Sequence, residues 1–359
     1  MRAAILRDGK LVVDTLPEPK PGEGQVIVRT LACGICGSDL HAHKHGAHMV
    51  QAMKDQGATK VMDLSRDIVF GHEFCAELVD HGPGTQKTIK AGTRVCSMPI
   101  AISPESIETV GYSNDFPGGY GEYMVLSEAL LLPVPEGLST EDAALTEPMA
   151  VGLHAVEKAH LAGGEVPLVI GCGPVGLAVI AALKIRNVHP IIAADFSPKR
   201  RQLAERMGAD IVVDPAAVSP YTTWYDNAAP KGYDPTSLLN LLGMGEQPKP
   251  CVIFECVGVP GLIQQIFAGA PRNCRIVVVG VCMETDRIEP FYAINKELNL
   301  QFVLGYTPQE FAETLEHLAA GRIETGIVTA KVGVEGVAQA FEDLASPEVH
   351  AKILVEPWR

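Results

Sequence analysis

The chain has no apolar run long enough to cross a membrane and no long basic segment. The apolar stretch at residues 166–183 is interrupted by three glycines and two prolines. The longest basic run is the three residues 199–201, and the net charge is −14. Tight binding of nucleic acid needs a basic surface, which an acidic chain lacks. We therefore expect a small-molecule substrate, with neither a membrane nor a nucleic acid as partner.

The chain also lacks a secretory signal pattern and a disulfide framework. The charged residue Arg7 interrupts the N-terminal segment before it has a long apolar run of the kind that a signal peptide needs. The nine cysteines are an odd number and are scattered along the chain. Disulfide frameworks are denser and suit small secreted domains. We therefore expect reduced, mostly buried thiols in a cytoplasmic protein.

Two patterns divide the 359 residues, a length that suits two domains. The first 150 or so residues show short apolar runs between glycines and prolines, which is typical of a barrel or sandwich. From residue 166 apolar strands alternate with helices, beginning with a strand at 166–170 and a helix at 175–185. This alternation predicts a doubly wound parallel sheet, so the fold class is α/β with an additional β-rich domain.

A glycine-rich turn, residues 171–176 (GCGPVG), lies between that first strand and helix. Gly171 permits a tight turn, Gly173 lets the backbone approach a pyrophosphate, and Gly176 lets helix and strand pack closely. The helix N-terminus, which starts near Pro174, directs its partial positive charge at the phosphates. The turn therefore predicts a dinucleotide site; the alternative is a glycine turn without a ligand.

An acidic residue, Asp195, ends the next predicted strand nineteen residues after Gly176. A carboxylate at this place accepts hydrogen bonds from the ribose hydroxyls and repels a 2′-phosphate. The sequence therefore favours NAD over NADP. Arg200, about one helical turn further on, could reach a phosphate and weaken that preference.

Three side chains suggest a zinc site. Cys36 and His72 are ligand types that suit zinc, and Glu147 is a carboxylate candidate for the third place. Since 36 residues separate Cys36 from His72, the ligands must converge through the fold. Three protein ligands and an open position are typical of a catalytic zinc. The alternative is a buried core thiol and a histidine satisfied in a turn.

Five segments together resemble the zinc-dependent medium-chain alcohol dehydrogenases, most closely the sorbitol and polyol dehydrogenase branch. The segments are residues 33–41 (CGICGSDLH), 71–73 (GHE), 119–123 (GYGEY), 147–150 (EPMA) and 171–176 (GCGPVG) with the later Asp195. The resemblance implies a GroES-like catalytic domain at 1–150 and 291–359, and a Rossmann NAD-binding domain at 151–290. It also implies hydride transfer between a secondary alcohol, polyol or cyclic alcohol and NAD.

The resemblance implies metal ligands and a route for the proton. Cys36 and His72 would bind zinc, with either Glu73 or Glu147 as the remaining ligand. The route for the proton would begin at Ser38 and leave at His41, while Asp39 would orient His72. There is a plainer alternative to each of these roles. Ser38 and Asp39 could simply cap the helix, and His41 could simply be solvated.

On the cofactor side, the resemblance places Val175 behind the nicotinamide and Val257 in the adenine pocket. The backbone from Val279 to Val281 would bind the carboxamide. Apolar residues at these positions are explained equally well as core.

The chain departs from the family pattern in two places. Residues 97–116 contain no cysteine where many members hold a structural zinc, so we expect one zinc per chain. Residues 42–69 are longer than usual and include His43, His45 and His48. These histidines could bind metal, but a solvated helix and loop at the active-site mouth is favoured. The altered region means that sorbitol specificity does not follow from the resemblance.

Two other functions remain open at this stage. One is a zinc-free reductase of the same superfamily, and the other is a non-catalytic nucleotide-binding or structural protein. Cys36, His72 and Glu73 weigh against both, because they form a complete ligand set. We expect a homodimer or homotetramer.

Overall fold

The computed structural model describes residues 1–242, 244–346 and 349–359. The chain forms two compact units, one of Met1–Ala150 with Thr307–Arg359 and one of Val151–Tyr306. The predicted second boundary, after residue 290, differs from this division because residues 291–306 lie in the second unit. No helix among the described residues is long and apolar enough to span a membrane.

The first unit is rich in antiparallel β-structure. Its strands are β1 (Arg2–Arg7), β2 (Lys10–Thr15), β3 (Gln25–Gly34), β4 (Glu73–His81), β5 (Arg94–Ser97), β6 (Ile100–Ile102), β7 (Ile107–Thr109), β8 (Tyr123–Ser127), β9 (Leu131–Pro133), β16 (Val328–Val332) and β17 (Lys352–Val355). Among the described residues, seven of them form one sheet in the order β16-β17-β3-β4-β5-β9, with β8 also paired to β3. The final strand therefore lies directly beside β3, which leads into the predicted metal motif.

The helices of this unit are α1 (Gly37–Asp55), α2 (Thr140–Ala143), α10 (Pro308–Ala319) and α11 (Val337–Ala345), and α3 (Thr146–Lys158) crosses into the second unit. Helix α1 begins inside the metal motif and is kinked at His45, whose φ and ψ are −121° and 19°. One helix carries both the motif and the first part of the long region at 42–69, because no proline or glycine-rich turn interrupts residues 37–55.

The second unit is a parallel α/β layer structure. Its strands are β10 (Val166–Ile170), β11 (Ile192–Ala194), β12 (Ile211–Val213), β13 (Cys251–Glu255), β14 (Arg275–Val278) and β15 (Asn299–Phe302). Its helices are α4 (Pro174–Ile185), α5 (Pro198–Met207), α6 (Pro220–Ala228), α7 (Leu238–Leu241), α8 (Leu262–Gly269) and α9 (Pro290–Lys296). The described strands pair in parallel in the order β12-β11-β10-β13-β14-β15. This confirms the predicted α/β class.

The strand order reverses between β10 and β13, and such a switch point is where open parallel sheets bind ligands. The central strands are buried on both faces, as their continuous apolar sequences predict. Trp224 fills the core beside them and donates from Nε1 to the carbonyl of Val166 at 2.8 Å. A rigid sheet thus presents the carboxyl ends of β10 and β13 at one edge.

Candidate metal and nucleotide sites

Three potential metal ligands converge in the first unit. The ligand atoms of Cys36, His72 and Glu73 lie within 4.8 Å of one another. Cys36 immediately precedes α1, whereas His72 and Glu73 are at the start of β4. The pairing of β3 with β4 sets Gly34 opposite Glu73, so the two motifs meet through the sheet.

A glycine before the histidine makes this approach possible. Gly71 has φ of +105°, in the region that side chains rarely adopt. A Cβ at this position would also lie 2.8 Å from the sulfur of Cys33 and 2.8 Å from the ring of Tyr120. Gly71 therefore lets the chain turn between packed side chains and deliver His72 to the site.

The buried carboxylate of Asp39 orients the group. Its Oδ2 accepts from the Cys36 N–H at 3.1 Å and from the Tyr120 hydroxyl at 2.7 Å. Its Oδ1 lies 3.0 Å from the Tyr112 hydroxyl and 3.3 Å from His72 Nδ1. Burial would raise the pKa of Asp39, but the charge and hydrogen bonds of its neighbours lower it overall. Asp39 is thus a fixed anion beside the imidazole, the arrangement that orients a metal-binding histidine.

The donor set fits zinc. Burial and the charge of Glu73 raise the pKa of the Cys36 thiol, so the protein surroundings by themselves do not favour a thiolate. A divalent cation reverses that preference because it stabilises a coordinating thiolate. His72 Nδ1, buried and facing Asp39, has no aligned hydrogen bond among the described residues. A sulfur, an imidazole and a carboxylate together are a ligand combination that zinc accepts.

Sequence reasoning missed Lys352, which completes the surroundings of Glu73. Its Nζ lies 2.8 Å and 2.5 Å from the two carboxylate oxygens and donates to the carbonyl of Ile35 at 3.1 Å. Both charged side chains are only 1% exposed. The pKa of Lys352 is lowered by burial but raised overall by Glu73 and other nearby anions. The one feature of the sequence that could have pointed to Lys352 is a lysine inside an otherwise apolar final strand.

The nucleotide-binding turn has the predicted form in the second unit. Gly171 has φ of +92°, and a Cβ on Gly176 would lie 1.8 Å from the Gly171 carbonyl oxygen. Helix α4 therefore packs directly on the turn. Its N-cap is Gly173, and no side chain caps the first turn. The free N–H groups of that turn are donors that suit a pyrophosphate.

Asp195 is held rigidly next to this turn. Its Oδ2 accepts from the Cys172 N–H at 2.7 Å, and its Oδ1 accepts from the Ser197 N–H at 2.8 Å. Each carboxylate oxygen keeps a second lone pair for a ribose hydroxyl. Arg200 also reaches the turn, because a Cβ on Gly173 would lie 3.8 Å from its Nη1. Sequence reasoning missed Phe196, an aromatic ring that is 71% exposed beside Asp195.

The four predicted valines differ in exposure. Val175 is partly exposed at the start of α4, while Val279 is buried and donates its N–H to the carbonyl of Glu255. Val257 is 40% exposed and Val281 41% exposed. Val281 lines a cavity of about 420 Å³ at the carboxyl ends of β13, β14 and β15. The two exposed valines remain available to a ligand, whereas the side chain of Val279 is core.

Comparisons with known proteins find relatives along nearly the whole chain. Residues 22–136 match the alcohol dehydrogenase GroES-like domain, and residues 174–320 match the zinc-binding dehydrogenase family. An (R,R)-butanediol dehydrogenase of Bacillus subtilis (strain 168) is 31% identical over 99% of this chain and 100% of its own length. A sorbitol dehydrogenase of the same organism is 26% identical over 100% of this chain and 98% of its own. The crystal structure of 2R,3R-butanediol dehydrogenase from Bacillus subtilis has a TM-score of 0.79, with 28% identity and 99% of both chains covered.

The chain belongs to the zinc-dependent medium-chain alcohol dehydrogenase family. The predicted family, its GroES-like and Rossmann architecture, and oxidoreduction at CH–OH groups are thereby confirmed. Zinc and a nicotinamide cofactor are the two groups that this dehydrogenase family uses.

Of the two carboxylates left open as the third ligand of the dehydrogenase, the structure brings Glu73 to the group. Glu147 lies at the start of α3 and is 9% exposed. Among the described residues it is not part of the metal-binding cluster. Its charge contributes to the raised pKa of Lys352, so it lies in the same region of the unit.

The histidines of the long region do not build a second cluster with metal-binding geometry among the described residues. His41 and His45, one turn apart on α1, have ring centroids 6.4 Å apart. His43 Nε2 lies 3.1 Å from the carbonyl of Gly9, and His48 is exposed. Ser38 lies in the first turn of α1, two residues after Cys36. The predicted positions for proton transfer thus share one helix.

The cysteine-free lobe, residues 97–116, is tied to the long region by polar contacts. Lys60 forms ion pairs with Glu108 and Asp115, the second at 3.2 Å. The side-chain oxygen of Asn114 accepts from the Asp63 N–H at 2.8 Å, and its side-chain nitrogen donates back to the Asp63 carbonyl at 3.0 Å. The lobe and the long region at 42–69 therefore stabilise each other.

Replacing Cys36 with alanine should remove the metal and leave the nucleotide site intact. We expect Cys36→Ala to retain less than about a tenth of an equivalent of zinc, because only two protein ligands remain. Metal analysis after dialysis measures this, and NAD titration tests the second unit. Cys33→Ala is the matched control, since that buried thiol lies outside the cluster. Equal zinc content in both variants would contradict the assignment of Cys36 as a ligand.

Proposed function

We propose that this chain is an NAD-dependent dehydrogenase with one catalytic zinc, and that it oxidises a small alcohol with hydroxyls on neighbouring carbons. The observation that carries the proposal is the approach of Cys36, His72 and Glu73 to within 4.8 Å of one another. Three protein ligands leave one coordination position open, as in catalytic zinc sites. The glycine turn with Asp195 supplies the complementary cofactor site in the other unit.

Different residues of the first unit have different roles in removing the proton. Bound zinc would polarise the hydroxyl group and bound NAD would accept hydride. Ser38 accepts the proton from its place in the first turn of α1, and His41, one turn further, passes it on. Asp39 keeps His72 in the orientation that the metal requires.

The choice of a small diol follows from the relatives and from the site. Sorbitol and 2R,3R-butanediol, for which two relatives are named, both carry hydroxyls on adjacent carbons. The Tyr112 ring lies 5.4 Å from the His72 ring and 5.6 Å from the Phe70 ring. These aromatic rings give the metal cluster an apolar neighbour, which suits methyl groups better than a long chain of hydroxyls.

The distribution of cysteines supports a single zinc and a reducing compartment. All nine cysteines are free thiols, and the lobe at 97–116 contains none. Structural zinc sites are usually built from several cysteines, so we propose that the lobe holds no zinc. Free thiols in this number are typical of a cytoplasmic enzyme, the location that we propose.

The function is tested by a substrate panel on zinc-loaded protein. We expect 2,3-butanediol to give the highest kcat/KM, about tenfold or more above sorbitol, cyclohexanol and benzyl alcohol, since tenfold corresponds to about 1.4 kcal/mol of transition-state binding. NADH absorbance measures turnover. Full activity after zinc removal would identify a zinc-free reductase. Binding of NAD without turnover of any alcohol would identify a non-catalytic nucleotide-binding protein.

The preference for NAD should depend on Asp195. We expect Asp195→Ala to lower kcat/KM with NAD about tenfold, because a charge-assisted hydrogen bond to the ribose is lost. The same variant should use NADP better, since repulsion of the 2′-phosphate disappears. Arg200→Ala is the opposite control and should weaken NADP use. A wild-type enzyme that prefers NADP would contradict the proposal.

We also propose that two copies associate through β15. This strand is the edge of the parallel sheet, with unpaired backbone groups on one side. Phe302 is 60% exposed and Leu304 86% exposed, and Phe291 and Ile294 of α9 are 67% and 69% exposed. An edge strand with an apolar border can pair with its own copy around a two-fold axis. A homodimer would bury all four side chains.

Replacing Leu304 with aspartate should shift the protein from dimer to monomer, because two charges would face each other in an apolar interface. Sedimentation velocity over a range of concentrations measures the change. Leu239→Asp is the matched control, since Leu239 is 60% exposed but belongs to α7. A wild-type monomer, or an equal loss of dimer in both variants, would contradict pairing through β15.

A further inference from the structure

The hydroxyl of Tyr112 joins the proposed proton acceptor to the buried carboxylate. It lies 3.0 Å from Ser38 Oγ and 3.0 Å from Asp39 Oδ1. Tyr112 is thus within hydrogen-bond distance of both side chains. It comes from the cysteine-free lobe at residues 97–116.

A count of hydrogens shows what this contact does. A phenol has one hydrogen, so Tyr112 donates to one of the two oxygens at a time. The ionised Asp39 has no hydrogen to give and is the stronger acceptor. While Tyr112 donates to Asp39, its own oxygen can accept the hydrogen of Ser38. The lone pairs of Ser38 are then free for an incoming proton.

We propose that Tyr112 is a positioning residue that sets the direction of the Ser38 hydroxyl during proton removal. The proposal rests on the function proposed above. As the substrate O–H bond breaks, its proton bonds to Ser38 Oγ. The hydrogen that Ser38 carried turns away from Tyr112, and its bond to Oγ breaks as that proton passes on toward His41, the next group of the proposed route. Tyr112 then turns its hydrogen from Asp39 to Ser38. No bond to the phenol hydrogen breaks, and no charge is created on the ring.

The lobe holds Tyr112 at this place. Ser113, the next residue, donates to Glu108 Oε2 at 2.6 Å, and Glu108 is paired with Lys60. The ring of Tyr112 lies 5.6 Å from the ring of Phe70, which is 1% exposed. Contacts on both sides thus restrict the ring, as a positioning role requires.

Tyr120 supplies a natural comparison. Its hydroxyl donates to the other oxygen of Asp39 at 2.7 Å, and the residue is fully buried. Removing either hydroxyl takes one donor from the same carboxylate. Of the two, only removal of the Tyr112 hydroxyl also takes a hydrogen-bond partner from Ser38. The two phenols therefore separate an effect through Asp39 from an effect through Ser38.

The test compares Tyr112→Phe, Ser38→Ala and the double variant in the zinc-loaded, full-length enzyme. We expect Tyr112→Phe to lower kcat about tenfold or more, in the range of positioned proton transfer. KM, zinc content and NAD affinity should change less than about threefold, because Tyr112 binds neither substrate, zinc nor NAD in this proposal. The solvent deuterium isotope effect on kcat should rise, since proton removal becomes more limiting.

The double variant decides the mechanism. If Tyr112 acts through Ser38, adding Tyr112→Phe to Ser38→Ala should lower kcat less than about twofold further, because the two residues act as a unit. A full tenfold further loss would overturn the proposal, as would wild-type kcat in Tyr112→Phe. An equal loss of kcat in Tyr120→Phe would also overturn it, since the effect would then run through Asp39.

Tyr123→Phe serves as the control for phenol removal in general. Tyr123 packs against Trp358, outside the site, and its variant should keep wild-type kcat. A wild-type enzyme that reduces no NAD with any alcohol overturns the proposed function itself. An active wild type with an unaffected Tyr112→Phe variant overturns only the role of Tyr112.

Discussion

The buried charge of Asp39 is the constraint on which the metal site depends. A carboxylate without solvent is costly unless each lone pair has a donor. A backbone N–H and the Tyr120 phenol donate to Oδ2, the Tyr112 phenol donates to Oδ1, and the His72 imidazole lies 3.3 Å from Oδ1. These groups come from the residue before α1, the residue before β4, the lobe and the segment before β8. Satisfying one anion therefore fixes four separate segments around the metal ligands.

A second buried charge explains why the chain returns to the first unit. Glu73 would be an unpaired buried anion without Lys352, which comes from the last strand, 279 residues later. Breaking such a pair by removing one partner is strongly destabilising, because the remaining charge cannot reach water. Lys352 also donates to the carbonyl of Ile35, next to Cys36. The C-terminal segment thus completes the metal site as well as the sheet.

The features that sequence could predict are those encoded by nearby residues. The turn at 171–176, the alternation of strands and helices, and the segment Cys36–His41 each carry their geometry in local spacing. Tyr112 and Lys352 had no such signal, because their partners are 73 and 279 residues away and only the folded sheet brings them together. The same limit applies to β15, whose polar and exposed sequence shows its place only through pairing with β14. Long-range pairing, more than local propensity, determined these positions.

The lobe at 97–116 shows how several weak contacts together can hold a segment beside the site. Ion pairs such as Lys60 with Asp115 are half exposed, and each contributes little stability on its own. Several of them, with the hydrogen bonds of Asn114 and Ser113, hold the lobe against the long region. Tyr112 belongs to this lobe, so the contacts that hold the lobe also hold its hydroxyl against Ser38, the proposed proton acceptor.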